Sequence, residues 1–199
     1  HSGESVEMVI CPAEPGTGIT LRRTDIANGG SLIPLNWRHI VDSRLATTVG
    51  NDFGVTVSTV EHLMAALSGC QIDNAIVEVD GPELPIMDGS AGPFVAMIEQ
   101  AGTRNQNAPR RKIRVDKHIS VGDHKNSLSL TPARNFSLSF EIDFDSSNIL
   151  QQKFAIHIDN DAFKSDIAGA RTFGFAHEVD QLRSIGLALG GSLENAIVI

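Results

Sequence analysis

Cysteine is nearly absent from this 199-residue chain: Cys11 and Cys70 are the only two, and neither sits at a metal-ligating spacing. That excludes a disulfide scaffold and leaves two small apolar side chains expected in the interior of a protein from a reducing compartment. No apolar run approaches the roughly 18 residues of a membrane-spanning helix. No charged-then-apolar stretch reads as a signal peptide, so the expected location is the cytoplasm, without stable membrane insertion. Positive charge is also short, with 16 Lys and Arg against 24 Asp and Glu and a net charge of −8. This excludes a non-specific nucleic-acid partner, and an anionic substrate then needs a local basic site.

What is present is a composition that folds. Hydrophobic residues make up 41%, enough to bury a real core in one large domain or two small ones. Residues 4–11 alternate and stop at Pro12 and Pro15-Gly16 before residues 19–23 resume, which predicts a hairpin. Arg22 and Arg23, adjacent in the second strand, point to opposite faces and read as solvated charge. Asn28-Gly29-Gly30 reads as a turn, and residues 75–79 read as a strand ended by Asp80-Gly81-Pro82. Asp88-Gly89 reads as a turn residue pair ahead of a helix with Pro93 near its start. The polar, Pro-terminated stretch 103–109 marks a domain boundary. Beyond it strands are expected at 112–121, 127–131, 137–144 and 153–158, and short helices at 161–167 and 176–185. His118, His124, His157 and His177 are scattered without ligand spacing.

The densest chemistry lies in Ser58-Thr59-Val60-Glu61-His62-Leu63-Met64-Ala65-Ala66-Leu67. Val60, Leu63, Met64 and Leu67 follow the i, i+3, i+4, i+7 spacing of a helix with one buried stripe. Glu61 and His62 fall off the stripe, beside Ala65, Ala66 and Gly69, whose small side chains leave room for an approaching group. Gly69 is placed to end the helix. Two readings of Glu61 stand together. Ser58 and Glu61 have the spacing of a capping box; alternatively Glu61 is a general base beside a metal-bound His62. A helix of the second kind usually carries two histidines one turn apart, and position 66 is alanine.

Several stretches together resemble the UDP-3-O-acyl-N-acetylglucosamine deacetylase family of lipid A biosynthesis. They are His1-Ser2-Gly3-Glu4, Thr17-Gly18-Ile19 with Arg22-Arg23-Thr24-Asp25, Ser58 to Leu63, Ile72-Asp73-Asn74, Glu83-Leu84-Pro85-Ile86-Met87-Asp88-Gly89-Ser90, Ala170-Arg171-Thr172-Phe173, and Gly186-Leu187-Ala188-Leu189-Gly190-Gly191-Ser192. The resemblance implies an α+β protein of two similar two-layer domains, each a mostly antiparallel sheet packed against a pair of helices. The first spans 1–108 and carries the Glu61-His62 helix; the second spans 109–199, with an inserted strand-helix-strand element at about 172–199. It also implies a monomer and a zinc (Zn2+) amidohydrolase that removes the N-acetyl group of a UDP-linked glucosamine bearing a 3-O-(3-hydroxyacyl) chain. His62 then ligates the metal, Glu61 is the general base, and Thr172 hydrogen-bonds the developing oxyanion. Phe173 lies against the sugar, His1 lies near the active site, and Val179, Ala188, Gly191, Ser192, Ala196 and Val198 line the acyl-chain element.

One departure counts against that picture. The family's other two zinc ligands, in a His-Lys-x-x-Asp-x-x-Gly-Asp helix, and a further catalytic histidine have no counterpart in the 199 residues. Catalytic zinc needs about three protein ligands. With His1 at one end and the strand-like Ala196-Ile197-Val198-Ile199 at the other, the expectation is a stretch of a longer protein, inactive by itself. The alternative is a non-catalytic protein that binds an acylated nucleotide sugar without metal.

Overall fold

The computed structural model describes residues 1–27, 29–144 and 149–199. The expected turn at Asn28 lies outside the described residues. The chain is α+β, with several mostly antiparallel sheets and few helices. It divides into two compact units, residues 1–108 with 163–199 and residues 109–162.

The larger unit holds the buried core. Its central strand is β7 (Ala75–Val79), in which Ala75, Val77 and Val79 alternate inward, as a half-buried strand demands. The sheet order is β1 (Met8–Pro12), β7, β2 (Ile19–Arg23), β3 (Leu32–Pro34). β7 runs antiparallel to β1 and parallel to β2, so it separates the two strands expected to form a hairpin. The turn residues after Pro12 permit a hairpin, but β7, buried at Ala75, Val77 and Val79, occupies the place between β1 and β2. A second sheet contains β4 (Ile40–Asp42), β5 (Thr48–Gly50) and β6 (Thr56–Val57), all antiparallel.

Helices α1 (Glu61–Gly69) and α2 (Gly92–Ala101) pack on each other. Leu63, Ala66 and Leu67 of α1 are buried, as are Phe94, Val95 and Ile98 of α2. Each fully buried leucine is worth roughly 1.5–3 kcal/mol over an exposed one. Met97 of α2 faces out, at 38% exposure.

Arg23 corrects the reading of two solvated arginines: it is 8% exposed on the Leu21 side of β2. Its Nε and Nη2 donate to Asp25 at 2.8 and 2.6 Å, and Nη1 donates to the Thr56 carbonyl at 2.9 Å. A buried guanidinium persists because those donors are satisfied. Arg22, on the other face, pairs with Glu78. Cys11 and Cys70 are both half-buried rather than interior.

Gly69 ends α1 as expected, though it is not itself the cap residue. It is the last residue of α1, and the left-handed residue that follows is Gln71, at φ 58°. Its role is steric, because a Cβ there would lie 2.0 Å from Cδ1 of Phe163. Phe163 opens a π-helical turn, Phe163–Ile167, that follows α3 (Asn160–Ala162).

In the smaller unit β8 (Ile119–Gly122) pairs with β9 (Ser127–Leu130), and β10 (Ser137–Asp143) pairs with β11 (Gln151–His157). The first strand is shorter than the expected 112–121: it begins only at Ile119, although Ile113 and Val115 alternate with Lys112, Arg114 and Asp116. The remaining elements belong to the larger unit: β12 (Phe173–Gly174), α4 (Ala176–Ser184) and β13 (Ile197–Val198), with β12 and β13 parallel.

Gly69→Ala is expected to destabilise the protein by about 1–3 kcal/mol through overpacking. Urea unfolding measures it, and an unchanged midpoint contradicts the assignment of Gly69 to the Phe163 contact.

Candidate functional site

The pair Glu61-His62 is set by how the chain leaves β6. Ser58 forms a parallel bridge with Glu83: its amide donates to the Pro82 carbonyl at 2.9 Å, and its carbonyl accepts from Leu84 at 3.0 Å. Thr59 then turns through φ 59°. A β-branched residue in the left-handed region costs about 1–3 kcal/mol, here offset by a buried 2.8 Å bond from Thr59 Oγ1 to Glu83 Oε1. Val60 takes the helical conformation at the cap position, and α1 begins.

This geometry overturns the capping-box reading. Ser58 Oγ is engaged with Thr48 Oγ1 at 2.9 Å, and no side chain caps α1. The Thr59 turn takes Ser58 out of line with the helix. Glu61 Oε2 instead accepts the Thr47 amide at 3.1 Å, while its other oxygen has no hydrogen-bond partner among the described residues. The half-buried His62 ring likewise has none. The small-residue flank beside them is only partly open, since Ala66 is fully buried and Gly69 is covered by Phe163.

Glu83 also holds the first residues of the chain. It accepts the Ser2 amide at 2.8 Å and pairs with the His1 nitrogen. The His1 carbonyl in turn accepts the Leu189 amide at 2.9 Å, and His1 Nδ1 lies 3.4 Å from the Ala188 nitrogen. Ala188 is itself left-handed, at φ 54°. The structure thus brings His1 to Ala188, two positions singled out separately in the sequence.

Thr172 is fixed from both sides by backbone bonds. Its amide donates to the Gly89 carbonyl at 2.8 Å, and its carbonyl accepts from Ile197 at 2.9 Å. Its methyl faces Gly89, and its hydroxyl has no hydrogen-bond partner among the described residues. The pairing of β12 with β13 sets Phe173 opposite Ile197 and Gly174 opposite Val198. Phe173 is 41% exposed and meets Phe175 edge-on at 6.1 Å. Of the remaining candidate lining, Val179, Ala188 and Ala196 are half-buried, while Gly191, Ser192 and Val198 are exposed. No hydrogen bond joins Glu61 or His62 to Thr172 or this lining among the described residues. Glu83, Gly89 and Arg171 carry the positioning bonds; from sequence Gly89 was given only its turn and Glu83 and Arg171 no role, the one available signal for Glu83 being an acid enclosed by Pro82 and Leu84.

The donor set does not by itself fit a zinc ion. Among the described residues no three His, Cys, Asp or Glu side chains converge to hold a metal, and His62 offers a single imidazole where about three ligands are needed.

Asp88 confirms the turn role expected of it. Its Oδ1 accepts the Ser90 amide at 2.9 Å and the Ser90 hydroxyl at 2.7 Å. Partial burial pushes its carboxyl up, but the two Ser90 bonds and nearby Arg171 outweigh that and hold it below 3.8. A carboxyl depressed by folding stabilises the protein above its unfolded value and loses that contribution as pH falls through its lower folded value. The stability advantage of the natural chain over Asp88→Asn is therefore expected at neutral pH and fades below pH 3.8. Urea midpoints measured across that range check it, and a pH-independent difference contradicts it.

The comparisons with known proteins bear on the whole chain. The sequence model of the family described as "LpxC: UDP-3-O-acyl N-acetylglycosamine deacetylase" matches residues 1–199. A UDP-3-O-acyl-N-acetylglucosamine deacetylase of Myxococcus xanthus is 52% identical over 199 residues, all of this chain and 63% of that protein. Proteins of the same name are 48% identical in Syntrophotalea carbinolica and in Phenylobacterium zucineum, where all of this chain covers 64% and 68% of their lengths. The chain thus spans about two-thirds of the length of the curated relatives it matches. A match along every residue, with half the positions identical, makes this chain a member of the UDP-3-O-acyl N-acetylglycosamine deacetylase family.

Proposed function

We propose that the polypeptide carrying this sequence hydrolyses the N-acetyl amide of UDP-3-O-(3-hydroxyacyl)-N-acetylglucosamine, releasing acetate and the free amine, in the cytoplasm and as the committed step of lipid A biosynthesis. Family membership supports the substrate class. The observation that carries the chemistry is the state of Glu61: one carboxylate oxygen is anchored on the Thr47 amide and the other has no hydrogen-bond partner among the described residues, nor has the neighbouring His62 ring. A general base needs a fixed position and a free lone pair. In this reading Glu61 takes a proton from water as its oxygen attacks the acetyl carbonyl carbon. The Thr172 hydroxyl donates to the carbonyl oxygen as negative charge develops there. The C–N bond then breaks, and the departing nitrogen takes up the proton removed from water.

Zinc dependence is part of the proposal, with His62 as one ligand. The described residues do not complete a metal site, so no step above passes through the metal, and the remaining donors are proposed to lie in the third of the relatives' length that this chain does not span. Residues 109–199 are assigned, with such sequence, to a second α+β domain. The sugar is proposed to rest on Phe173, near His1. Val179, Ala188, Gly191, Ser192, Ala196 and Val198 are proposed to line the acyl chain's path. No helix among the described residues is long and apolar enough to cross a membrane; we propose a monomer without nucleic-acid partners. The same lack of a three-donor cluster favours one competing reading, a metal-free protein that binds the acylated nucleotide sugar and does not turn it over.

Acetate release from the acylated UDP-sugar by the full natural polypeptide, together with its zinc content, separates the two readings. The deacetylase reading expects about one zinc per chain and turnover that falls about 10²-fold or more in Thr172→Ala. Tight binding with neither zinc nor acetate release contradicts it.

A further inference from the structure

We propose that Arg171 is a positioning residue for Thr172, stitching together the two segments between which Thr172 is held; the inference rests on the reading of Thr172 as the oxyanion donor. The guanidinium spans two loops far apart in sequence. Its Nε donates to the Asp88 carbonyl at 2.7 Å and its Nη2 to the Leu193 carbonyl at 2.9 Å. These are the segments that fix the Thr172 backbone, through Gly89 on one side and Ile197 on the other.

The two loops also touch directly. Gly89 has φ 84°, and a Cβ on it would lie 2.1 Å from the Asn195 carbonyl oxygen. A glycine is therefore required for the close approach as well as for the left-handed backbone. Bringing two turns this near aligns carbonyl oxygens of both, Asp88 and Leu193, toward a common donor. A planar guanidinium presents N–H groups at fixed angles and serves two such acceptors at once, which a single ammonium does not reproduce. Arg171 thus converts two loose turns into one frame, and Thr172, the next residue, inherits its position from that frame. The same bond to Leu193 ties down the stretch 191–198, which holds four of the candidate acyl-lining residues.

This assigns Arg171 an effect on turnover that acts through the Thr172 hydroxyl rather than by contact with substrate. Misplacing a reacting group by about 1 Å costs on the order of 10²-fold in rate. In the full natural polypeptide, Arg171→Ala is expected to lower kcat roughly tenfold or more, with KM for the acylated UDP-sugar much less affected. The double variant Arg171→Ala/Thr172→Ala is expected to be no slower than Thr172→Ala alone, because the hydroxyl that Arg171 positions is already gone. Arg171→Lys, which keeps the charge and loses the fork, is expected between the wild type and Arg171→Ala, and it serves if the alanine variant does not fold. Multiplicative losses in the double variant, or an Arg171→Lys enzyme equal to the wild type, overturn the inference while leaving Thr172 in its role. An unchanged kcat in Thr172→Ala overturns that role and the inference with it.

Discussion

The buried carboxylate of Glu83 is the constraint on which the candidate site depends. It sits between two segments bridged as parallel strands, and its oxygens accept from Thr59 Oγ1, the Ser2 amide and the His1 nitrogen. An acid 9% exposed persists only when its lone pairs are used. Here using them decides the backbone: Thr59 is held in a conformation a β-branched residue avoids, and that turn sets where α1 begins. The position of Glu61, two residues on, follows from it. So does the placement of His1, whose carbonyl and ring meet the 188–189 stretch.

A second frame holds Thr172. It meets the first where the Gly191 amide donates to the Ala188 carbonyl at 3.1 Å, and it is built on the same plan. In each, a residue of the proposed chemistry is placed by backbone hydrogen bonds and by one charged side chain that satisfies several partners: Glu83 as acceptor in one, Arg171 as donor in the other. Each frame also contains a left-handed residue at its tightest point, Thr59 and Gly89. Glycine takes this conformation without steric cost, whereas at Thr59 it is strain that persists because surrounding bonds over-determine the backbone. The Glu61 Oε1, the His62 ring and the Thr172 hydroxyl have no hydrogen-bond partner among the described residues.

How much of this was legible in the sequence follows from the range of each interaction. α1, α2 and β7 announce themselves through local periodicity, and the Asp88 turn through its own side chain bonding two residues on. The β1–β2 hairpin was misread because β7, more than fifty residues downstream of β2, enters between them, and no local pattern reports a strand that arrives from elsewhere. Arg23 was misread for the same reason, since its burial depends on Thr56 in another sheet. The capping box at Ser58 and Glu61 was a sound local inference that a tertiary bridge to Glu83 displaced. Motif resemblance identified the family along the whole chain, but it assigned no role to Glu83 or Arg171, which lie within the matching stretches and play their parts through long-range contacts. The proposed zinc site stayed out of reach of sequence and structure alike, because no three His, Cys, Asp or Glu side chains converge among the described residues.

The account's central claim is that Glu61 acts on the substrate as a base and is not a structural anchor that happens to lie beside His62. Glu61→Gln tests it most directly, since an amide oxygen still accepts the Thr47 amide while the basic lone pair is lost. In the full natural polypeptide the predicted result is binding of the acylated UDP-sugar within a few-fold of the wild type, with kcat reduced about 10²- to 10⁴-fold. Turnover that survives the substitution, or binding that collapses with it, would contradict the account.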